Sequence, residues 1–151
     1  NSAGVVGYLK HLGFFRHIGI NIGKDVDEAP GGSNYLPFTR IKQNQIMWKG
    51  HVMQESIDHQ ANRLATVLFP SDSASGPRYM VGYAIREIIR NSFEHGRVEY
   101  CIATAQRLSN GTAEIAIADE GIGIFNSLRV TGRFANPDEA LSASLMPGIS
   151  S

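Results

Sequence analysis

Two short segments joined by a hairpin's length of chain constrain this sequence more than any other feature. Glu87-Ile-Ile-Arg90-Asn91-Ser-Phe-Glu-His95-Gly96 sets an acid, an amide and an imidazole four residues apart, on a stretch with helical apolar spacing. At 3.6 residues per turn, such positions form one polar stripe that winds slowly around the helix. Asp119-Glu-Gly121-Ile-Gly123-Ile124 then sets a carboxylate and two glycines at the mouth of an apolar strand. Taken singly, a polar stripe is also what a solvated helix face looks like, and short glycine patterns are weak signals. The order of the parts, stripe, then hairpin, then Asp-x-Gly-x-Gly, gives them meaning together.

The surrounding sequence supplies the elements. A helix is predicted over 78–95, with Val81, Ala84, Ile85, Ile88, Ile89 and Ser92 as its buried stripe and Gly96 just past its end. Val98–Gln106 reads as a strand. Asn110-Gly111 is a tight-turn signal, and Thr112–Ala118 alternates in the manner of a second strand, so 98–118 is a predicted β-hairpin. Upstream, 4–13 reads as a short helix stopped by Gly13, 24–34 as a loop, and Tyr35–Ile41 as a strand confined to a sheet edge by Pro37. Met47–Phe69 reads as a helix, with Val52, Ile57, Ala61, Leu64, Ala65 and Leu68 on one face, broken by Pro70 and the polar run to Pro77. A last helix, 137–146, opens on Asn136-Pro-Asp-Glu139 and stops at Pro147-Gly148.

Composition narrows the class. A chain of 151 residues with 42% hydrophobic and 19% charged residues suits one soluble domain with a real core. Lys and Arg total 14 and Asp and Glu 14, so net charge gives no signal for nucleic acid or an anionic membrane. No apolar run has membrane-spanning length and no signal-peptide pattern is present, so a cytoplasmic location is expected. Cys101, the only cysteine, sits in an apolar run and reads as a buried small side chain, not a nucleophile. His51, Glu55 and His59 recur at helical spacing without a His-Glu-x-x-His arrangement, and read as a solvated face. There is no lysine-bearing phosphate loop and no Gly-x-Ser-x-Gly elbow.

The stripe and the glycine loop together resemble the GHKL superfamily, whose ATP site is called the Bergerat fold. Its members include gyrases, a heat-shock chaperone family, sensor histidine kinases, MutL-type repair proteins and anti-sigma-factor serine kinases. Glu87-x-x-x-Asn91-x-x-x-His95-Gly96 is similar to the N box, in the form nearest the anti-sigma kinases, and Asp119-x-Gly121-x-Gly123 to the first glycine box. The resemblance covers residues 76–151 and implies an α+β fold: a two-layer sandwich with helices on one face of a mixed, mostly antiparallel sheet. It divides the chain into residues 1–50, of unassigned role, and an ATP-binding domain over 51–151.

The resemblance also implies roles. Asn91 would ligate Mg²⁺ through its amide oxygen, a hard donor suited to that ion. Glu87 would be the general base, and Asp119 would accept a hydrogen bond from the adenine amino group. Gly121 and Gly123 would admit the nucleotide against bare backbone. Arg90 and His95 would assist on the phosphate side, beneath a lid formed by residues 125–150. The implied ligands are ATP or ADP and Mg²⁺, with a protein partner. The implied activity is ATP hydrolysis or phosphoryl transfer in the complete protein. Serine/threonine kinase activity on a partner, or a nucleotide-gated interaction module without turnover, are the alternatives. The family's second glycine-rich segment follows the lid. This sequence ends at Gly148-Ile-Ser-Ser151 where that segment begins, so a shortened version of the fold, a poor binder of triphosphate, is expected. No histidine lies in a sensor-kinase phosphoacceptor pattern.

Overall fold

The structure is a computed structural model that describes residues 2–43, 52–71, 76–129, 134, 136–144 and 146. In chain order the elements are α1 (Ser2–Leu12), α2 (Phe14–His17), β1 (Tyr35–Lys42), α3 (Val52–Leu68), α4 (Pro77–Glu94), β2 (Tyr100–Arg107), β3 (Ala113–Ala118), α5 (Gly123–Arg129) and α6 (Pro137–Ser144). The described strands form one antiparallel sheet in the order β1-β2-β3. The fold is α+β.

The main core lies between α3, α4 and one face of the sheet. Ile57 and Leu64 of α3, Ile89 of α4 and Cys101 of β2 are its largest fully buried side chains. Ala103 and Ala105 follow Cys101 on the same strand face, and these small residues let α3 approach the sheet closely. The helical spacing in α3 holds from Ile57 onward: Ile57, Ala61, Leu64, Ala65 and Leu68 are all buried, while the Val52 side chain lies outside the described residues. The start of that helix predicted at 47–51 lies outside the described residues.

In α4 the buried set is Gly82, Ile85, Ile89, Ser92 and Phe93. Ala84 and Ile88, expected in that stripe, are exposed, Ile88 by 48%. Gly82 explains the rotation. A Cβ there would stand 3.6 Å from the Ala65 Cβ, so α4 meets α3 along the line of Gly82, and Ala84 and Ile88 turn away. Pro77 occupies the first turn of α4, where its missing N–H costs nothing.

The hairpin turn forms as its sequence dictates. Gly111 takes φ 87°, and the Thr112 N–H donates to Asn110 Oδ1 at 3.0 Å. β1 is an outer strand, with Pro37 at a register irregularity between Leu36 and Thr39. On the strand face opposite Ala105, α1 is tied to the sheet: Tyr8 Oη donates to Gln106 Oε1 at 2.7 Å. Asn136 caps α6 by accepting the Glu139 N–H at 2.9 Å. The stop at Pro147-Gly148 lies outside the described residues. Among the described residues no helix is long and apolar enough to cross a membrane.

Candidate functional site

The site grows from the end of β3. Ala118 is the last β3 residue paired with β2, opposite Ile102, and Asp119 leaves the sheet directly after it. Both carboxylate oxygens of Asp119 are held. Oδ1 accepts the Gly121 N–H at 2.9 Å, a local turn that Asp favours, and Oδ2 accepts the Ser92 hydroxyl at 2.7 Å. Ser92 is buried on α4, with 4% of its surface exposed, so the helix core grips the loop through a hydroxyl.

Backbone contact completes the junction. The Ile122 N–H donates to the Gly96 carbonyl at 3.1 Å. A Cβ on Gly121 would lie 2.8 Å from the Gly96 Cα and carbonyl oxygen, and one on Gly96 would lie 2.4 Å from the Ser92 carbonyl oxygen. Two glycines are therefore needed where helix end and loop touch, because of close approach and not because of backbone angle. The positive φ values fall beside them, on Arg97 at 58° and on Gly123 at 76°. A Cβ on Gly123 would meet open space, so its requirement is conformational.

A cavity of about 480 Å³ opens against this junction. Arg90 and Asn91 line it from α4 and His95 from the position just past that helix, together with Asp119 and Gly123. Five of the seven residues singled out from the sequence thus come together. Gly121 supports the wall through its contact with Gly96 without lining the cavity.

Glu87 does not line the cavity. The stripe winds by ~40° for every four residues, so it has turned ~80° between Glu87 and His95. The Glu87 carboxylate instead meets Arg90 Nη2 at 2.6 Å and Arg86 Nε at 3.3 Å. These pairs belong to a chain along the helix surface, in which Arg86 also faces Asp58 at 3.5 Å and Arg90 faces Glu94 at 3.7 Å.

Cys101 lies under the same corner. Burial, with the Asp119 charge as the second cause, pushes its thiol up from 9.0 to about 11. A thiol held protonated at neutral pH and buried under the sheet is no nucleophile, which agrees with its reading from the sequence. Of the His51, Glu55 and His59 pattern, His51 and the Glu55 side chain lie outside the described residues. Among the described residues no group of three or more His, Cys, Asp or Glu could hold a metal ion.

Ser92, Ile88, Ile124 and Leu128 are contributors to the site that the sequence motifs do not single out. Ser92 was placed in the buried stripe, where a lone hydroxyl among aliphatic residues was itself a signal, because a buried polar group needs a partner. Ile88, assigned to the core, lines the cavity instead. Ile124 and Leu128 line it from α5, a helix the sequence reading did not anticipate inside the predicted lid. α5 contacts α6, and Leu128, Ala140 and Ala143 are buried there, apart from the main core. No family model matches the chain, and neither a curated protein nor a solved structure shows a match to it.

Proposed function

We propose that this chain is the ATP-binding part of a GHKL-type protein, with Mg²⁺-dependent hydrolysis or phosphoryl transfer carried out by the complete protein. The observation that carries the reading is the held carboxylate of Asp119 at the edge of a cavity that Asn91 also lines. Its volume falls within the roughly 300–1,000 Å³ of small-molecule sites. Each Asp119 oxygen accepts one hydrogen bond and keeps a lone pair for a ligand's amino group. Ile88, Ile124 and Leu128 offer apolar surface for a base. Asn91 offers a neutral amide oxygen. That donor fits Mg²⁺, an ion usually bound through few protein ligands together with substrate phosphates and water. Arg90 and His95 offer charge and hydrogen-bonding capacity on the same wall. The bound nucleotide would supply the phosphoryl group and Mg²⁺ the charge neutralisation. The protein's residues bind and orient.

Glu87 favours a second reading. Its carboxylate, engaged by Arg86 and Arg90 and outside the cavity wall, supports a nucleotide-gated interaction module that binds without turnover. Radiolabelled ATP, with and without candidate partner proteins, separates the possibilities. Free phosphate identifies a hydrolase, a labelled partner identifies a kinase, and retained binding with neither identifies the module.

Calorimetry tests the site itself. Asp119→Asn is expected to weaken ATP and ADP alike, because the loss is at the base. Asn91→Ala is expected to remove the Mg²⁺ dependence of binding. Glu87→Ala is expected to leave binding largely intact and, if Glu87 is the base, to slow turnover by roughly 10²–10⁴. Unchanged nucleotide affinity in Asp119→Asn would sink the assignment.

A further inference from the structure

Ser92 carries one hydroxyl proton and faces two acceptors. The Ile88 carbonyl oxygen, one helical turn back, stands at 3.2 Å, and Asp119 Oδ2 at 2.7 Å. A single O–H cannot serve both fully. The shorter contact, to a charged acceptor, has the length of a charge-assisted bond and takes the proton; the longer one is the fallback that a helical serine ordinarily uses. Ser92 is almost wholly buried and its helix is fixed by Ile89 and Phe93 on either side in the core, so its hydroxyl cannot swing away. The other carboxylate oxygen is held by the Gly121 N–H. Asp119 is itself exposed, at the open edge of the cavity. A carboxylate with one oxygen tethered to a helix core and the other to its own loop has lost its rotational freedom. Its remaining lone pairs point in fixed directions.

We infer that Ser92 is the positioning residue that sets base selectivity at this site: by holding Asp119, it makes the carboxylate discriminate a purine bearing a 6-amino group from one bearing a 6-oxo group. The inference rests on the adenine-nucleotide reading above and adds a residue that acts through Asp119. Discrimination follows from geometry. A carboxylate accepts from an amino group and repels an oxo group, provided it cannot rotate aside. Freed from Ser92, Asp119 can turn its oxygens from an oxo group or recruit water, and the penalty against the wrong base falls.

ATP and ITP, which differ at that substituent and in the N1 proton that accompanies the 6-oxo group, are the probes, with affinities measured calorimetrically in Mg²⁺ buffer. In Ser92→Ala, ATP affinity is expected to fall by roughly tenfold, the scale of a lost hydrogen bond to a charged group, with ITP nearly unchanged, so that the ATP:ITP preference collapses by about the same factor. In an Asp119→Ala background, where no side-chain group remains opposite the hydroxyl, Ser92→Ala is expected to change ATP affinity by less than about twofold, because the hydroxyl has already returned to the Ile88 carbonyl. Thermal unfolding identifies loss through general destabilisation. If Ser92→Ala weakens ATP and ITP equally, or weakens ATP by the same factor in both backgrounds, Ser92 acts through the fold and the inference is overturned. An unaltered ATP:ITP ratio overturns it too, while leaving the ATP-site reading intact. A wild-type protein that binds neither nucleotide overturns both.

Discussion

The two halves of the α4 stripe are built on different principles. Toward the helix C-terminus, Ser92, Gly96, Asp119 and Gly121 meet through backbone contact, one buried hydroxyl and a local turn. A turn and a half earlier, Glu87 sits in a ladder of long charged side chains that includes Asp58, Arg86, Arg90 and Glu94, all partly open to solvent. The first half has almost no conformational freedom to lose on meeting a ligand. The second can rearrange at little cost, since partly exposed ion pairs of this kind contribute only about 0–1 kcal/mol each. Arg90 belongs to both, because it pairs with Glu87 and lines the cavity. A rigid recognition corner next to an adaptable charged wall is a division of labour. In the proposed nucleotide site, one part would fix which ligand enters, and the other would adjust to its charge.

Gly121→Ala puts the largest strain on that contrast. The added methyl meets the Gly96 backbone at 2.8 Å, which cannot yield as a side chain would, and Asp119 Oδ1 at the same distance. A loss of about 3 kcal/mol is expected, at the upper end for overpacking. For a chain of this size that lowers Tm by roughly 6–12 °C. A change below about 1 kcal/mol would mean the corner is soft and the comparison wrong.

The next effect is read on the alkaline side. Cys101 has its pKa raised from 9.0 to about 11 in the folded protein, so folding favours the protonated thiol. Its contribution is complete below pH 9 and is lost as pH climbs to 11. The two units correspond to on the order of 2–3 kcal/mol. Chemical denaturation of wild type and Cys101→Ala at pH 8 and pH 11 isolates it: the variant is expected to lose less stability across the interval. Equal losses would show that the rigid corner does not exclude the thiolate.

The smallest effect is expected in the charged half. Glu87→Gln should change stability by no more than about 0.5–1 kcal/mol, and by less as salt screens the ladder. A loss of 2 kcal/mol or more in urea titrations at low and high salt would show that the ladder is as structural as the corner.

Local signals in the sequence foretold most of the framework. Leu64 and its α3 neighbours are buried at the spacing that predicted them, Asn110-Gly111 makes its turn, Pro37 marks an outer strand, and Asn136 caps α6. These depend on a few adjacent residues. What escaped depends on how elements meet. Ile88 is aliphatic and correctly spaced for burial, yet the Gly82 crossing rotates it out to the cavity. Gly96 stands just past its helix as expected, but the left-handed residue is Arg97. Glu87 and Asn91 share a stripe in one dimension and part company on a real helix surface. The Ser92–Asp119 bond joins residues 27 apart in sequence, which only the folded hairpin brings together.

Cys101 gives this molecule a clock. The chain has a single thiol, on the inner face of β2 and electrostatically coupled to Asp119. A thiol reagent therefore labels one position, and only during the moments when the sheet lifts from α3 and α4. The labelling half-life counts those openings without an added dye, tag or substitution. A ligand that binds only the closed corner lengthens it by a factor of one plus the ratio of its free concentration to Kd, so candidate nucleotides at equal concentration, with and without Mg²⁺, are ranked by how long they keep one sulfur waiting.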